Sequence, residues 1–186
     1  MNSVALLCDE DDLTSRVADA LVSRGADVAY FSISEVGSYA PRSGAGLVLL
    51  PSEHWDIETV VVGLNAAASR SGAQRIVVVV DTSALGWLGS PRRSARNAAL
   101  VGASRSLALE LAPSGVTVNV VVHSLDDESG PVRQGLRSTA SPLGIETSAD
   151  DVAACVLFLL DERSGYITGQ TLFATGGSQI ITSFSA

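Results

Sequence analysis

The chain has 186 residues, 46% of them hydrophobic and 17% charged, and its 20 acids against 12 bases give a formal net charge of −8. That length and apolar content predict one well-packed globular domain over 1–186, not a disordered chain. The acidity argues against nucleic acid as a partner, because no basic stripe is present to neutralise phosphates.

All twelve cations are arginine, so a mechanism that needs a lysine ammonium or a Schiff base is excluded. Cys8 and Cys155 both lie in apolar runs without metal-ligand spacing. They read as buried free thiols, with no metal, and suit a reducing cytoplasm. The start of the chain lacks a basic segment, and the longest apolar runs, such as Ile76–Val80, are too short to span a bilayer. A cytoplasmic protein with no membrane partner is expected.

Ser3–Cys8 (SVALLC) is a short apolar run, as in a strand buried on both faces. The acidic block Asp9–Asp12 follows and suits a helix start, where carboxylates favour the N-terminal dipole. Val17, Ala18, Leu21 and Val22 recur at helical spacing over Leu13–Arg24, and Gly25 supplies the stop. Ala26–Phe31 is a second strand, completing a βαβ unit that is parallel and right-handed by default.

Ser32–Ala45, rich in Ser, Gly and Pro, reads as a loop, and Gly46–Leu50 as a third strand ended by Pro51. Ile57–Ser69 is a predicted helix, Arg75–Val80 a central strand, and Pro91–Leu111 a long helix. A turn at Pro113–Gly115 leads into the strand Val116–Val122. His123–Thr147 is polar and irregular, as expected of a mobile or partner-contacting segment. Ser148 is a good N-cap for a helix reaching Leu160, and Gln170–Ala174 is a last strand before Gly176-Gly177. Strands alternating with helices predict an α/β fold: a doubly wound, mostly parallel, Rossmann-like sheet.

Two stretches carry a resemblance. NAALVGASRSLALELAPSGVTVNVV at Asn97–Val121 is similar to the run KAAL-G-(T/S)-(R/K)-SLALELAP-GI-VN-V of the short-chain dehydrogenase/reductase family. SADDVAACVLFLLDERSGYITGQTLFATGG at Ser148–Gly177 resembles that family's C-terminal signature with its YITGQ and GG elements. VALLC and SRGADVAYF match its first strand and the end of its first βα unit. The resemblance implies the family's single Rossmann domain in shortened form. Members usually run to about 250 residues; the missing length falls between the second strand and GLVLL, and again before Ile57. A strand is therefore expected to be absent from the sheet edge beside the adenine half of the cofactor site.

The departures fall on the family's functional positions. Its T-G-x-x-x-G-x-G turn lets the backbone reach a dinucleotide pyrophosphate at a helix N-terminus. Here that frame holds Cys8, Asp9, Glu10, Asp11, Asp12, Leu13, Thr14 and Ser15, with no glycine. One carboxylate about 5 Å from a phosphate costs on the order of 3 kcal/mol at an effective dielectric of about 20. The helix dipole returns less, typically under about 1 kcal/mol at an exposed end. The family's adenine-side N-N-A-G falls on Leu49, Leu50, Pro51 and Ser52, which implies a filled cleft.

In the Y-x-x-x-K frame the tyrosine falls at Arg93 and the lysine at Asn97. The family's lysine binds the ribose and lowers the tyrosine pKa, a task neither a permanently charged guanidinium nor an amide performs. Ser83 in DTSALGWLG matches the substrate-orienting serine by its spacing to Gly86, but reads better as an ordinary strand-end serine. The family's helix asparagine has no counterpart in register; Asn65 is the nearest. A hydrolytic pair of His123 with Ser83 or Ser124 lacks a nucleophile-elbow pattern. His54, the other histidine, also ends a strand region.

The parts that match best are those that build interfaces in the family: the helices at Ile57–Ser69 and Pro91–Leu111, and the C-terminal helix with the GG strand. Val101, Gly102, Arg105, Leu109, Tyr166, Gly176 and Gly177 are the expected interface positions. The expectation is a non-catalytic subunit, with no dinucleotide of its own, paired with a complete NAD(P)-dependent sister chain that it stabilises or regulates. The alternatives are an oxidoreductase with a rebuilt site, or a pseudoenzyme homodimer that binds a smaller ligand.

Overall fold

Runs of Val, Ile and Leu without polar alternation form strands only where both faces of the sheet are covered, and that is how this chain uses them. The computed structural model describes residues 3–8, 12–32, 46–51, 55–71, 73–87, 89–125 and 141–180. Ten main elements follow in order: β1 (Ser3–Leu7), α1 (Asp12–Ser23), β2 (Asp27–Phe31), β3 (Gly46–Leu49), α2 (Ile57–Ser71), β4 (Arg75–Asp81), α3 (Pro91–Leu111), β5 (Thr117–His123), α4 (Ala149–Leu160) and β6 (Thr171–Ala174).

The strands form one six-stranded sheet in the order β2-β1-β3-β4-β5-β6, and every pairing is parallel. This is the doubly wound, Rossmann-like α/β fold. Val4 pairs with Val28 on one side and lies beside Gly46 on the other, so the winding reverses at β1. The C-terminal ends of β1 and β3 therefore flank the crevice in which such folds bind ligands. Among the described residues β2 is one edge of the sheet, and its side chains are mostly exposed.

Alternate side chains point to opposite layers. Ala5, Leu47, Val78 and Val120 pack under α2 and α3 through Val60, Leu64, Leu100 and Leu107. Val4, Val48, Val79 and Val121 pack under α1 and α4 through Val17, Leu21, Val152 and Val156. The second layer lies close to the sheet: a Cβ at Gly46 would stand 2.6 Å from Leu160 Cδ2. Leu107 and Leu111 keep the back of α3 in the core, and Gly115 ends the following turn with a positive φ of 74°.

The helix at Pro91–Leu111 has the predicted bounds, while β4 and β5 each run one residue further, to Asp81 and His123. Those extra residues matter, because they bring two ionisable groups to the C-terminal edge of the sheet. Ser148 caps α4 as expected: its Oγ accepts from Asp151 N, and Ser148 N donates to the Asp151 carboxylate. One correction concerns the thiols. Cys8 is buried, but Cys155 is only half-buried, since it sits on the flank of α4. Burial and the nearby Asp151 carboxylate push its thiol pKa up. Asp9, Glu10, Asp11, His54 and most of the two irregular segments lie outside the described residues.

Candidate functional site

The centre of the site is Asp81, the last residue of β4. Its backbone is extended, and its carboxylate caps the 3-10 turn Thr82–Leu85, with Oδ1 accepting from Ser83 N at 2.7 Å. The other oxygen takes three donors from α3. Arg93 Nε donates to Oδ2 at 3.0 Å, Arg93 Nη2 lies 2.9 Å away, and Asn97 Nδ2 donates at 3.0 Å. The same Asn97 nitrogen donates to Ser83 Oγ at 2.9 Å. The three positions predicted from the Ser, Tyr and Lys frame are thus brought together, on a carboxylate that sequence reasoning did not single out.

The geometry follows from two local features. Arg93 and Asn97 are four residues apart, so they lie on one face of α3. The 3-10 turn drops the chain from the end of β4 to the start of that helix. Ser83 is fully buried and Asn97 is 3% exposed, whereas about a third of the Arg93 side chain reaches solvent. The Arg93 guanidinium also stands 5.5 Å from the centroid of the Trp87 ring, within cation–π range. Trp87 N donates to Ser94 Oγ at 2.9 Å, which ties the loop after the turn to the first turns of α3.

Burial alone would raise the pKa of Asp81. The hydrogen bonds from Ser83 and the charge and hydrogen bonds of Arg93 outweigh it, and the carboxyl lies below its ordinary range. A carboxylate so engaged is a poor general base, because its basicity is spent on four donors. Ser83 is closed to solvent, and its Oγ accepts from the Asn97 amide.

The remaining predicted residues fall as follows. Leu49 and Leu50 are buried at the C-terminal end of β3. His123 is buried beside Asp81 in the strand register, with Nδ1 accepting from Leu125 N at 3.1 Å. Ser124 Oγ and Thr147 Oγ1 share a hydrogen bond of 2.6 Å. Asn65 is exposed on α2. On α3, Val101 is half-buried, while Gly102, Arg105 and Leu109 are exposed, Leu109 by 78%. Arg105 Nη2 donates to Thr171 Oγ1 at 3.4 Å. Tyr166 is fully exposed. Gly176 and Gly177 pack closely under Ser141 and Pro142. Among the described residues, no cluster of His, Cys, Asp and Glu could hold a metal ion, and no helix is long and apolar enough to cross a membrane.

The family model described as enoyl-(acyl carrier protein) reductase matches residues 60–179, from α2 through β6. The chain belongs to the short-chain dehydrogenase/reductase family. Two similar family members come from Thauera aromatica, and both are subunits of (2S)-[(R)-hydroxy(phenyl)methyl]succinyl-CoA dehydrogenase. Subunit BbsD is 37% identical over 57% of this chain and 45% of its own length. Subunit BbsC is 38% identical over 69% of this chain and 51% of its own length. The chain thus spans about half the length of these curated relatives. The fold also matches the crystal structure of an enoyl-(acyl-carrier-protein) reductase from Anaplasma phagocytophilum in complex with NAD. The TM-score is 0.77 at 15% identity, covering 100% of this chain and 95% of that one.

Against the short-chain dehydrogenase/reductase frame, Asp81 is the residue that sequence reading missed. An Asp two residues before a Ser at a strand end is a turn-capping pattern, and that signal was available. What the pattern could not show was that the second carboxylate oxygen faces α3.

Proposed function

We propose that this chain is a non-catalytic subunit of the short-chain dehydrogenase/reductase type. It pairs with a complete, NAD(P)-dependent sister chain in the cytoplasm and stabilises or regulates the active site there. The observation that carries the reading is the Asp81 network. At the family's acid/base positions, Arg93 and Asn97 are bonded to a buried carboxylate, where a reductase keeps a titrating phenol and an ammonium.

A dinucleotide does not fit the residues present. The amide nitrogen at the ribose-binding position is engaged by Asp81 and Ser83, Leu49 and Leu50 fill the end of β3, and the glycine turn is replaced by an acidic sequence. We therefore assign the cofactor to the partner. The relatives BbsC and BbsD are named as separate subunits of one dehydrogenase, which supports pairing of two related chains. The surface we assign to it is the outer face of α2 and α3, where Val62, Gly102 and Leu109 are exposed.

Co-expression with a related chain that has intact TGxxxGxG and YxxxK motifs, encoded beside this one, tests the pairing. One peak containing both chains on size exclusion is expected. A stable homodimer that ignores the sister chain overturns it. Calorimetry of the isolated chain with NADH and NADPH is expected to show no binding, and micromolar affinity for either refutes the cofactor assignment.

A further inference from the structure

α3 is held in two different ways along its length. From Leu100 onward its inner face is mostly apolar: Leu100, Leu107, Ala108 and Leu111 are buried in the core, with one buried serine, Ser104, whose hydroxyl donates to Leu100 O within the helix. Ahead of Leu100 the only buried residue is Asn97, which is polar. The helix start supplies little of its own: Ser90 makes no side-chain cap hydrogen bond, and the first turn carries no acid. Arg92 and Arg93 stand there instead, the wrong sign for the positive end of a helix dipole. Pro91 at the first position favours the helical φ, and it is exposed.

What fastens this front segment is polar. Asp81 takes both Arg93 contacts and the Asn97 amide, while Ser94 receives Trp87 N from the loop. Segments with few buried apolar contacts open locally, without global unfolding. We infer that Asp81 is the latch of a conformational device: its carboxylate fixes Pro91–Asn97 on the sheet, and loss of that charge opens this segment while the back of α3 stays packed. The consequence for association rests on the function proposed above. Ala95 and Ala98 lie on the exposed side of the same segment, in line with Gly102 and Leu109. Opening the front displaces Ala95 at one end of this line, so the residues at the family's acid/base positions set the shape of that end of the face offered to the partner.

Amide hydrogen exchange on the isolated chain tests the latch independently of any partner. Asp81→Asn is expected to speed exchange at Ser94–Ala98 by roughly tenfold to a hundredfold, the range that loss of one charge-assisted hydrogen bond implies. Amides of β4 and of Leu107–Leu111 keep their rates. Equal acceleration throughout the chain, or none at Ser94–Ala98, overturns the inference. Adding Ser90→Asp to the same variant supplies a cap and a favourable charge at the helix start, and is expected to restore protection at these amides. Failure to restore it also counts against the latch. If Asp81→Asn does not fold, Arg93→Gln removes two of the four contacts and is read by the same criterion. Because the sister chain takes no part in the exchange measurement, failure of the latch and failure of the pairing are read separately.

Discussion

Asn97 donates one amide nitrogen to both Asp81 Oδ2 and Ser83 Oγ, at 3.0 and 2.9 Å. Those two contacts, with those of Arg93, fasten the front of α3 to the end of β4. At the same place in the family frame an ammonium serves a ribose and a phenol, and here an amide cross-links the end of β4 to its following turn.

Removing the hub tests its structural weight. Asp81→Ala strips the acceptor from Asn97, which is buried, and from Arg93, which reaches solvent. Breaking a fully buried pair costs about 3–5 kcal/mol; with Arg93 able to rehydrate, about 2–3 kcal/mol is expected. Urea unfolding followed by circular dichroism measures it, and a change under about 0.5 kcal/mol, the size typical of surface substitutions, contradicts a structural role.

Acid sensitivity follows from the same carboxylate. Burial raises its pKa, but Ser83 and Arg93 bring it below the ordinary value. A group depressed in the folded state contributes stability that is complete above its unfolded pKa, about 3.9, and is lost as pH falls through the folded pKa. The Asp81 contribution is therefore constant near neutrality and disappears below about pH 4. Unfolding midpoints measured across the acid range should show a shallower decline for Asp81→Asn than for the wild type.

The outer face of α3 separates folding from association. A Cβ at Gly102 meets nothing within 4 Å, and replacing a helical glycine gains up to about 1 kcal/mol of helix propensity. Gly102→Leu is thus expected to hold or raise the melting temperature, yet to block close approach of a neighbouring helix. Loss of co-purification with the sister chain is the expected result. Retained pairing would move the interface off α3.

A control lies on α4. Ser148→Ala removes a capping box and should cost about 1 kcal/mol. A urea midpoint shift of that size, with co-purification unchanged, would show that modest destabilisation alone does not abolish pairing.

The class of fold was legible because it rests on local patterns. Buried parallel strands announce themselves as unbroken Val and Ile runs, and α3 was readable from Pro91 to Leu111 because its start and stop signals are adjacent in the chain. The replaced catalytic pair was equally legible, since Arg93 and Asn97 need only be counted from a motif. Cys155 was misread because an apolar run does not say which side of a helix faces solvent.

What the sequence determined by itself was therefore the α/β class, the family frame and the absence of its Tyr and Lys, all properties of spacing and residue type. Only the tertiary structure decided what took their place. Asp81 and Asn97 are sixteen residues apart in the chain, on a strand end and a helix. No local rule pairs them, and it is the packing of α3 across β4 and β5 that closes the distance to a hydrogen bond.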